Sequence, residues 1–212
     1  MPRLHRVSHW FESDIAHFKY KIMLYPPDFY YIPTAIDREV AEMIVRKCSD
    51  YQLEDSQVFD NDQNQNIDYR YRICKHCWLA TDNWIGGIMK HCIESANQSL
   101  FNFDLTKWTD KIQYTVYDEE GSHYKWHYDI AKSSIDKETV RKLSISLLLS
   151  SPDDYEGGEL QLLLPGETVM KTFKPRLGDA IIFSSMTRHR VRPIKSGKRI
   201  SLVGWYGGPA FR

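Results

Sequence analysis

Apolar positions change their spacing near residue 110. Upstream, Val40, Met43, Ile44 and Cys48 recur at three- and four-residue intervals, and Ile85, Ile88, Met89, Cys92, Ile93 and Ala96 do the same. This pattern predicts amphipathic helices over roughly 36–51 and 82–101. Thr34 or Asp37 is placed to cap the first, and Thr81 or Asp82 the second. Downstream the helical spacing stops. Short runs rich in valine, isoleucine, tyrosine and phenylalanine alternate with glycine, proline and acidic turns, predicting strands over 113–117, 123–129, 142–150, 158–164, 168–173, 179–184, 189–193 and 199–205. Eight short strands at this spacing predict a mainly β, α+β chain: a double-sheet jelly roll, or double-stranded β-helix, with the earlier helices packed on one sheet. Residues 1–109 then form a helical and extended support region and 110–212 the jelly-roll core, together one compact unit.

Composition acts mainly by exclusion. Lysine plus arginine number 28 and aspartate plus glutamate 28, so overall charge offers no attraction to nucleic acid or an anionic membrane. No initial segment joins a basic end to an apolar stretch, and runs such as Leu147-Leu148-Leu149 are far too short to span a bilayer. The expectation is a soluble cytoplasmic protein. Four cysteines, Cys48, Cys74, Cys77 and Cys92, are few for this length and imply no disulfide framework. Cys74-Lys-His76-Cys77 followed by His91-Cys92 has the ingredients of a zinc knuckle. The second half lacks the matching spacing and falls in a helical window, so packed thiols are the simpler reading.

The stretch HYKWHYDI at 123–130 carries two histidines and an aspartate. A helix would align His123 with His127 and turn Asp129 away. A strand would align His127 with Asp129 and leave His123 about 13 Å along the chain, too far to share an ion. The segment follows a glycine turn, is dominated by aromatics and lies among strands, which favours the second arrangement. His189, at the start of a later strand, supplies a third ligand that a sandwich can bring alongside. Two imidazoles and one carboxylate on one face of an octahedron leave three positions open, as in non-haem iron(II) oxygenases, whereas a structural zinc site is closed by four ligands. In the strand RISLVGW, Arg199 shares a face with Ser201, Val203 and Trp205. A guanidinium buried there requires an anion, and a cosubstrate carboxylate could be that anion.

Taken in order, Tyr117, Tyr124, His127 and Asp129 in Y-x6-Y-x2-H-x-D, Gly157-Gly158-Glu159-Leu160, Gly178-Asp179, His189 in H-x-V-x-P, and Gly197, Arg199, Ser201 and Trp205 resemble the iron(II)- and 2-oxoglutarate-dependent dioxygenases, specifically the prolyl 4-hydroxylase-like, prolyl/lysyl hydroxylase-type branch. The resemblance covers roughly residues 110–207; the preceding half looks like bacterial and phage members, which extends the expected location to a host cytoplasm. It implies that His127, Asp129 and His189 bind Fe(II), and that Arg199 pairs with the distal carboxylate of 2-oxoglutarate. It also implies that Tyr117 helps hold that carboxylate, that Ser201 stands beside it, and that Tyr124 and Trp205 line the pocket. His123 is not a motif position and reads as a solvated turn residue.

By the same resemblance the reaction is hydroxylation of an unactivated C–H bond with release of succinate and carbon dioxide, dioxygen as co-reactant and ascorbate as reductant. No side-chain nucleophile or general base is needed. The substrate it implies is peptidyl proline or lysine, or a related amino-acid-like molecule. Two alternatives differ in chemistry: a cupin-like metal- or ligand-binding module without redox activity, and a nucleic-acid demethylase of the same superfamily. The latter pattern carries further arginine and asparagine positions, which Arg190-Val191-Arg192-Pro193 with a single Arg199 does not match. The polar segment 131–140, AKSSIDKETV, follows Asp129 and could flap over the pocket. Oligomeric state is not legible in the sequence.

Overall fold

The computed structural model of the protein describes residues 28–211, apart from 57, 60–64, 67, 134 and 165–168. The chain opens with β1 (Phe29–Ile32) and α1 (Arg38–Ser49), then β2 (Glu54–Asp55) and a small hairpin of β3 (Val58–Phe59) and β4 (Gln65–Asn66). Next come β5 (Arg72–Ile73), β6 (Lys75–Leu79) and α2 (Trp84–Ala96), which ends in a π turn through Phe101. The remainder is strand: β7 (Lys107–Trp108), β8 (Ile112–Tyr117), β9 (His123–His127), β10 (Val140–Leu148), β11 (Tyr155–Gly157), β12 (Leu160–Leu163), β13 (Met170–Phe173), β14 (Ala180–Ser184), β15 (Arg188–Val191), β16 (Ile194–Gly197) and β17 (Arg199–Gly208).

An eight-stranded sheet runs β1-β14-β10-β17-β8-β6-β2, with β7 added beside β17, and a five-stranded sheet runs β13-β12-β15-β9-β5. Strand alternation sends successive side chains to opposite faces. Ala180 and Ile182 of β14 therefore join the core under the helices, while Ile181 and Phe183 join Leu160, Leu162 and Val191 in a second core. The first core holds Ala41, Ile44 and Cys48 of α1 and Ile85, Met89, Cys92 and Ile93 of α2. Each fully buried leucine or isoleucine there contributes roughly 1.5–3 kcal/mol. Among the described residues no helix is long and apolar enough to cross a membrane.

All eight expected strands are present within a few residues of their expected ends, and the fold is the expected α+β jelly roll with helices on one sheet. Asp37 caps α1, its carboxylate accepting from Val40 N at 2.8 Å. The cap of α2 differs from expectation: neither Thr81 nor Asp82 but Asn83 accepts from Ile85 N at 2.9 Å and Gly86 N at 3.2 Å. Strands β1, β2 and β6, all before residue 110, are built into the large sheet. β6 pairs along its whole length with β8, Cys77 opposite Tyr114.

The Gly178-Asp179 pair fastens this sheet. Gly178 has φ +86°, and a Cβ there would meet Ile36 O at 2.1 Å. Asp179, 1% exposed, accepts from Thr34 N and Arg176 N, both at 2.8 Å, and from the Tyr31 hydroxyl. One carboxylate thus ties β1 to the turn entering β14. The cysteines are buried thiols: Cys48, Cys77 and Cys92 in the helical core, Cys74 in the core between sheets. His91 is exposed.

Candidate metal and anion site

β9 and β15 pair antiparallel with His127 directly opposite His189, and this register brings the two imidazoles to 4.1 Å between ring centroids. Asp129 lies two residues beyond the end of β9. Its position is set by its own N–H, which donates to Ser185 O at 3.0 Å, and by its Oδ2, which accepts from Ser144 Oγ at 2.8 Å. Ser144 Oγ in turn lies 3.0 Å from Ser185 Oγ. His127 Nε2 is 3.6 Å from Asp129 Oδ1 and His189 Nε2 is 3.3 Å from Oδ2. One ligand atom from each of the three residues falls within 4.8 Å of the other two.

The tautomers follow from the backbone. His127 Nδ1 is 2.7 Å from Lys125 O and His189 Nδ1 is 2.9 Å from Thr187 O. A carbonyl only accepts, so each Nδ1 carries the proton and each Nε2 is left to face the cluster. Burial, reinforced by His189, pushes the His127 imidazole down to about 3 against the pull of Asp129. Burial works the same way on His189, but the Asp129 carboxylate beside it prevails and raises it. Burial alone would raise Asp129; His189, His127 and Arg141 outweigh it and hold the carboxyl well below the usual range. Two Nε2 lone pairs and a carboxylate converge, a set of acceptors that one divalent cation satisfies, and two histidines with a carboxylate are the donor set of open non-haem iron(II) sites.

Tyr124 stacks on His127, centroids 3.6 Å apart and planes 16° from parallel. On the same phenol ring sits Arg72, its Cζ 4.4 Å from the centroid. Arg72 is buried and donates from Nη2 to Gln113 Oε1 at 2.7 Å and from Nε to Cys74 Sγ at 3.0 Å. His123, by contrast, bonds Gly121 O at 2.7 Å through Nδ1 and is not in the wall of the cavity.

A cavity of about 780 Å³ lies between the sheets, its wall including His127, Asp129, His189, Arg199, Ser201 and Trp205. Tyr117 and Tyr124 also line it, and so do Ala131, Lys132, Ile135 and Lys137 of the 131–140 segment. Arg199 stands opposite Tyr117 in the β17–β8 register, Ser201 opposite Thr115. The Arg199 Cζ is 5.4 Å from the Tyr117 ring, and Nη1 donates to Ser201 Oγ at 3.1 Å. Burial pushes the Tyr117 hydroxyl far above the usual phenol range, the charges of Arg72 and Arg199 opposing it. Among the described residues no carboxylate pairs with Arg199, which is 2% exposed, and its Nε has no hydrogen-bond partner. Leaving a buried cation so costs several kcal/mol. An anion entering the cavity would offset that cost, which is the sense in which these residues fit a carboxylate-bearing cosubstrate.

Trp205 packs at 6.3 Å from Trp78 and under the Arg141 guanidinium, 4.2 Å from its ring, and its Nε1 is also without a partner. Arg141 is held by Asp110 at 2.8 Å and reaches the Asp129 carbonyl at 3.4 Å. Sequence reasoning missed Ser144, Arg141, Arg72 and Gln113. Each acts through a partner far away in the chain, and nothing local marks it.

Residues 112–207, somewhat under half of the chain, match the family model of the 2OG-Fe(II) oxygenase superfamily. A PKHD-type hydroxylase of Colwellia psychrerythraea is 45% identical over 87 residues, 40% of this chain and 37% of that relative. The match thus spans well under half of that relative's length. Among solved structures, a Pseudomonas putida prolyl-4-hydroxylase superposes with a TM-score of 0.65 at 18% identity, covering 92% of this chain and all of that one. A Trichoplax adhaerens prolyl hydroxylase, in complex with a hypoxia inducible factor oxygen degradation domain peptide fragment, gives 0.67 at 17% identity, covering 94% of each. These two likenesses are likenesses of fold.

Proposed function

We propose that the protein is an Fe(II)- and 2-oxoglutarate-dependent dioxygenase that hydroxylates an unactivated C–H bond of a peptidyl proline or lysine, or of a related amino-acid substrate. The observation that carries this reading is the opening of a three-acceptor cluster and a buried, carboxylate-free guanidinium into one cavity. His127, Asp129 and His189 hold the ferrous ion, and Arg199 with Ser201 and Tyr117 seats the far carboxylate of 2-oxoglutarate. When bound, ion and cosubstrate supply the oxidising chemistry, by which 2-oxoglutarate, dioxygen and R–H become succinate, carbon dioxide and R–OH.

The chain's own residues orient and exclude water. The Nδ1–H bonds to Lys125 O and Thr187 O fix both imidazole planes, and Ser144 fixes the carboxylate. Tyr124 and Trp205 wall the cavity with aromatic surface, and Ala131, Lys132, Ile135 and Lys137 also line it. Ascorbate as reductant belongs to the same reading and needs no residue of its own.

The test is turnover. Iron-loaded protein, 2-oxoglutarate and oxygen are incubated with proline- and lysine-containing peptides and with the free amino acids. The reading expects one of them to gain 16 mass units in step with succinate. Succinate that no substrate stimulates, and no product of increased mass, would contradict the hydroxylase assignment.

A further inference from the structure

Tyr155, the first residue of β11, is 5% exposed. It stands behind Arg199, outside the cavity wall. Its hydroxyl is buried without a hydrogen-bond partner, and so is the Nε of Arg199. The two are neighbours: burial raises the Tyr155 phenol, and the Arg199 guanidinium opposes it, both by its charge and as a side-chain donor close to the phenol. Gly158 makes room for both. A Cβ there would lie 3.1 Å from Arg199 Cδ, 3.3 Å from Tyr155 Cε2 and 2.4 Å from Ile194 Cδ1, at a backbone φ of +65° that already disfavours side chains.

The Tyr155 ring is fixed from its other neighbours. Tyr155 pairs with Gly197 in the β11–β16 register, and Lys174 Nζ lies 5.2 Å from the ring and donates to Tyr155 O at 3.3 Å. Of the nearby carboxylates, Glu159 faces Arg192 at 3.5 Å with its Oε2 accepting no hydrogen bond, and Asp154 accepts from Ser151 N at 2.9 Å. A buried N–H donor and a buried phenol, close together and neither in a completed hydrogen bond, are complementary to each other. Ser201 already accepts from Nη1, which leaves Nε as the donor without a partner.

We propose that Tyr155 is a positioning residue for Arg199: a carboxylate seated on the cavity side of the guanidinium turns Nε–H onto the Tyr155 phenol oxygen, so the pocket favours a 2-oxo acid with a distal carboxylate over one without. This rests on the cosubstrate reading above. The arrangement keeps the second partner neutral, so no further buried charge has to be desolvated.

The experiment compares wild type, Tyr155→Phe, Arg199→Lys and the double variant, loaded with Fe(II) under anaerobic conditions. Calorimetry measures affinity for 2-oxoglutarate and for 2-oxovalerate, which has the same chain length and no distal carboxylate, and melting curves are taken without either acid. Tyr155→Phe weakens 2-oxoglutarate by about tenfold, the size of one hydrogen bond to a charged group, and leaves 2-oxovalerate unchanged. In Arg199→Lys, which has no Nε–H to donate, the added Tyr155→Phe has no further effect. The acid-free melting temperature stays level or rises, because the hydroxyl has no partner to lose. An unchanged 2-oxoglutarate affinity, equal weakening of both acids, or a lower acid-free melting temperature overturns the proposal. Wild type that binds neither acid removes the cosubstrate reading itself, and the inference with it.

Discussion

Arg72 and Arg199 are both buried guanidiniums in the wall of one cavity, and both act on Tyr117 between them. Arg72 is satisfied within the protein: Gln113 and Cys74 accept from it and Tyr124 lies beneath it. Arg199 has one hydrogen bond, to Ser201, a longer contact with the Tyr117 ring at 5.4 Å, and an Nε without a partner. Identical side chains at similar depth therefore do different work. An arginine whose donors are used internally is part of the fold, here bracing the Tyr124–His127 stack; one whose donors are left over is an offer to something that arrives.

That contrast breaks most decisively at Arg199. Arg199→Met is expected to weaken 2-oxoglutarate roughly a hundredfold or more, the scale of removing one partner from a buried charge pair. The ligand-free protein stays as stable as wild type or more so, since a costly buried charge is gone. Calorimetry and denaturant unfolding read the two effects. Arg72→Met is expected to do the reverse, losing about 2 kcal/mol of unfolding free energy through its hydrogen bonds, with a much smaller change in 2-oxoglutarate affinity. Equal effects from both substitutions would erase the distinction.

A smaller effect lies at Ser144. Ser144→Ala removes the hydrogen bond to Asp129 Oδ2, and Fe(II) affinity falls roughly tenfold, as for outer ligand partners generally, measured by competition with a chelator. The smallest is pH-dependent. Burial pushes Tyr124 up to about 12 while Arg72 opposes it. A phenol whose folded pKa is raised contributes stability that is fully present below the unfolded value, about 10, and lost as pH climbs through the folded one. Between those values stability therefore declines with pH, and in Arg72→Met, with its restraint on the phenol removed, the loss continues to higher pH. Unfolding curves at stepped alkaline pH would show it.

The jelly-roll strands were legible because each is a short run bounded by turn residues, and the two histidines and the aspartate because they sit in an ordered motif. Arg199 was legible from its shared face with Ser201 and Trp205. The pairing of His127 with Asp129 came out as strand alternation predicts, yet for another local reason: Asp129 is past the strand end and is placed by Ser185 and Ser144. β6 was hidden because its alternation is interrupted by His76 and Cys77 and its strand character comes from pairing with β8. Arg72 and Gln113 are 41 residues apart and Ser144 and Asp129 are 15 apart; no periodicity connects such partners before the sheet is formed. Asn83 takes the place of the expected caps because the helix starts at Trp84, two residues after the expected 82.

The most direct test of the account is an anaerobic titration of Fe(II) and 2-oxoglutarate into wild type, His127→Ala and Arg199→Ala, followed through the weak visible charge-transfer absorption of the iron–2-oxoglutarate pair. The account predicts a band in wild type, none in His127→Ala, and in Arg199→Ala a band that needs far more 2-oxoglutarate. No band in wild type, with zinc as the metal found on purification, would contradict it.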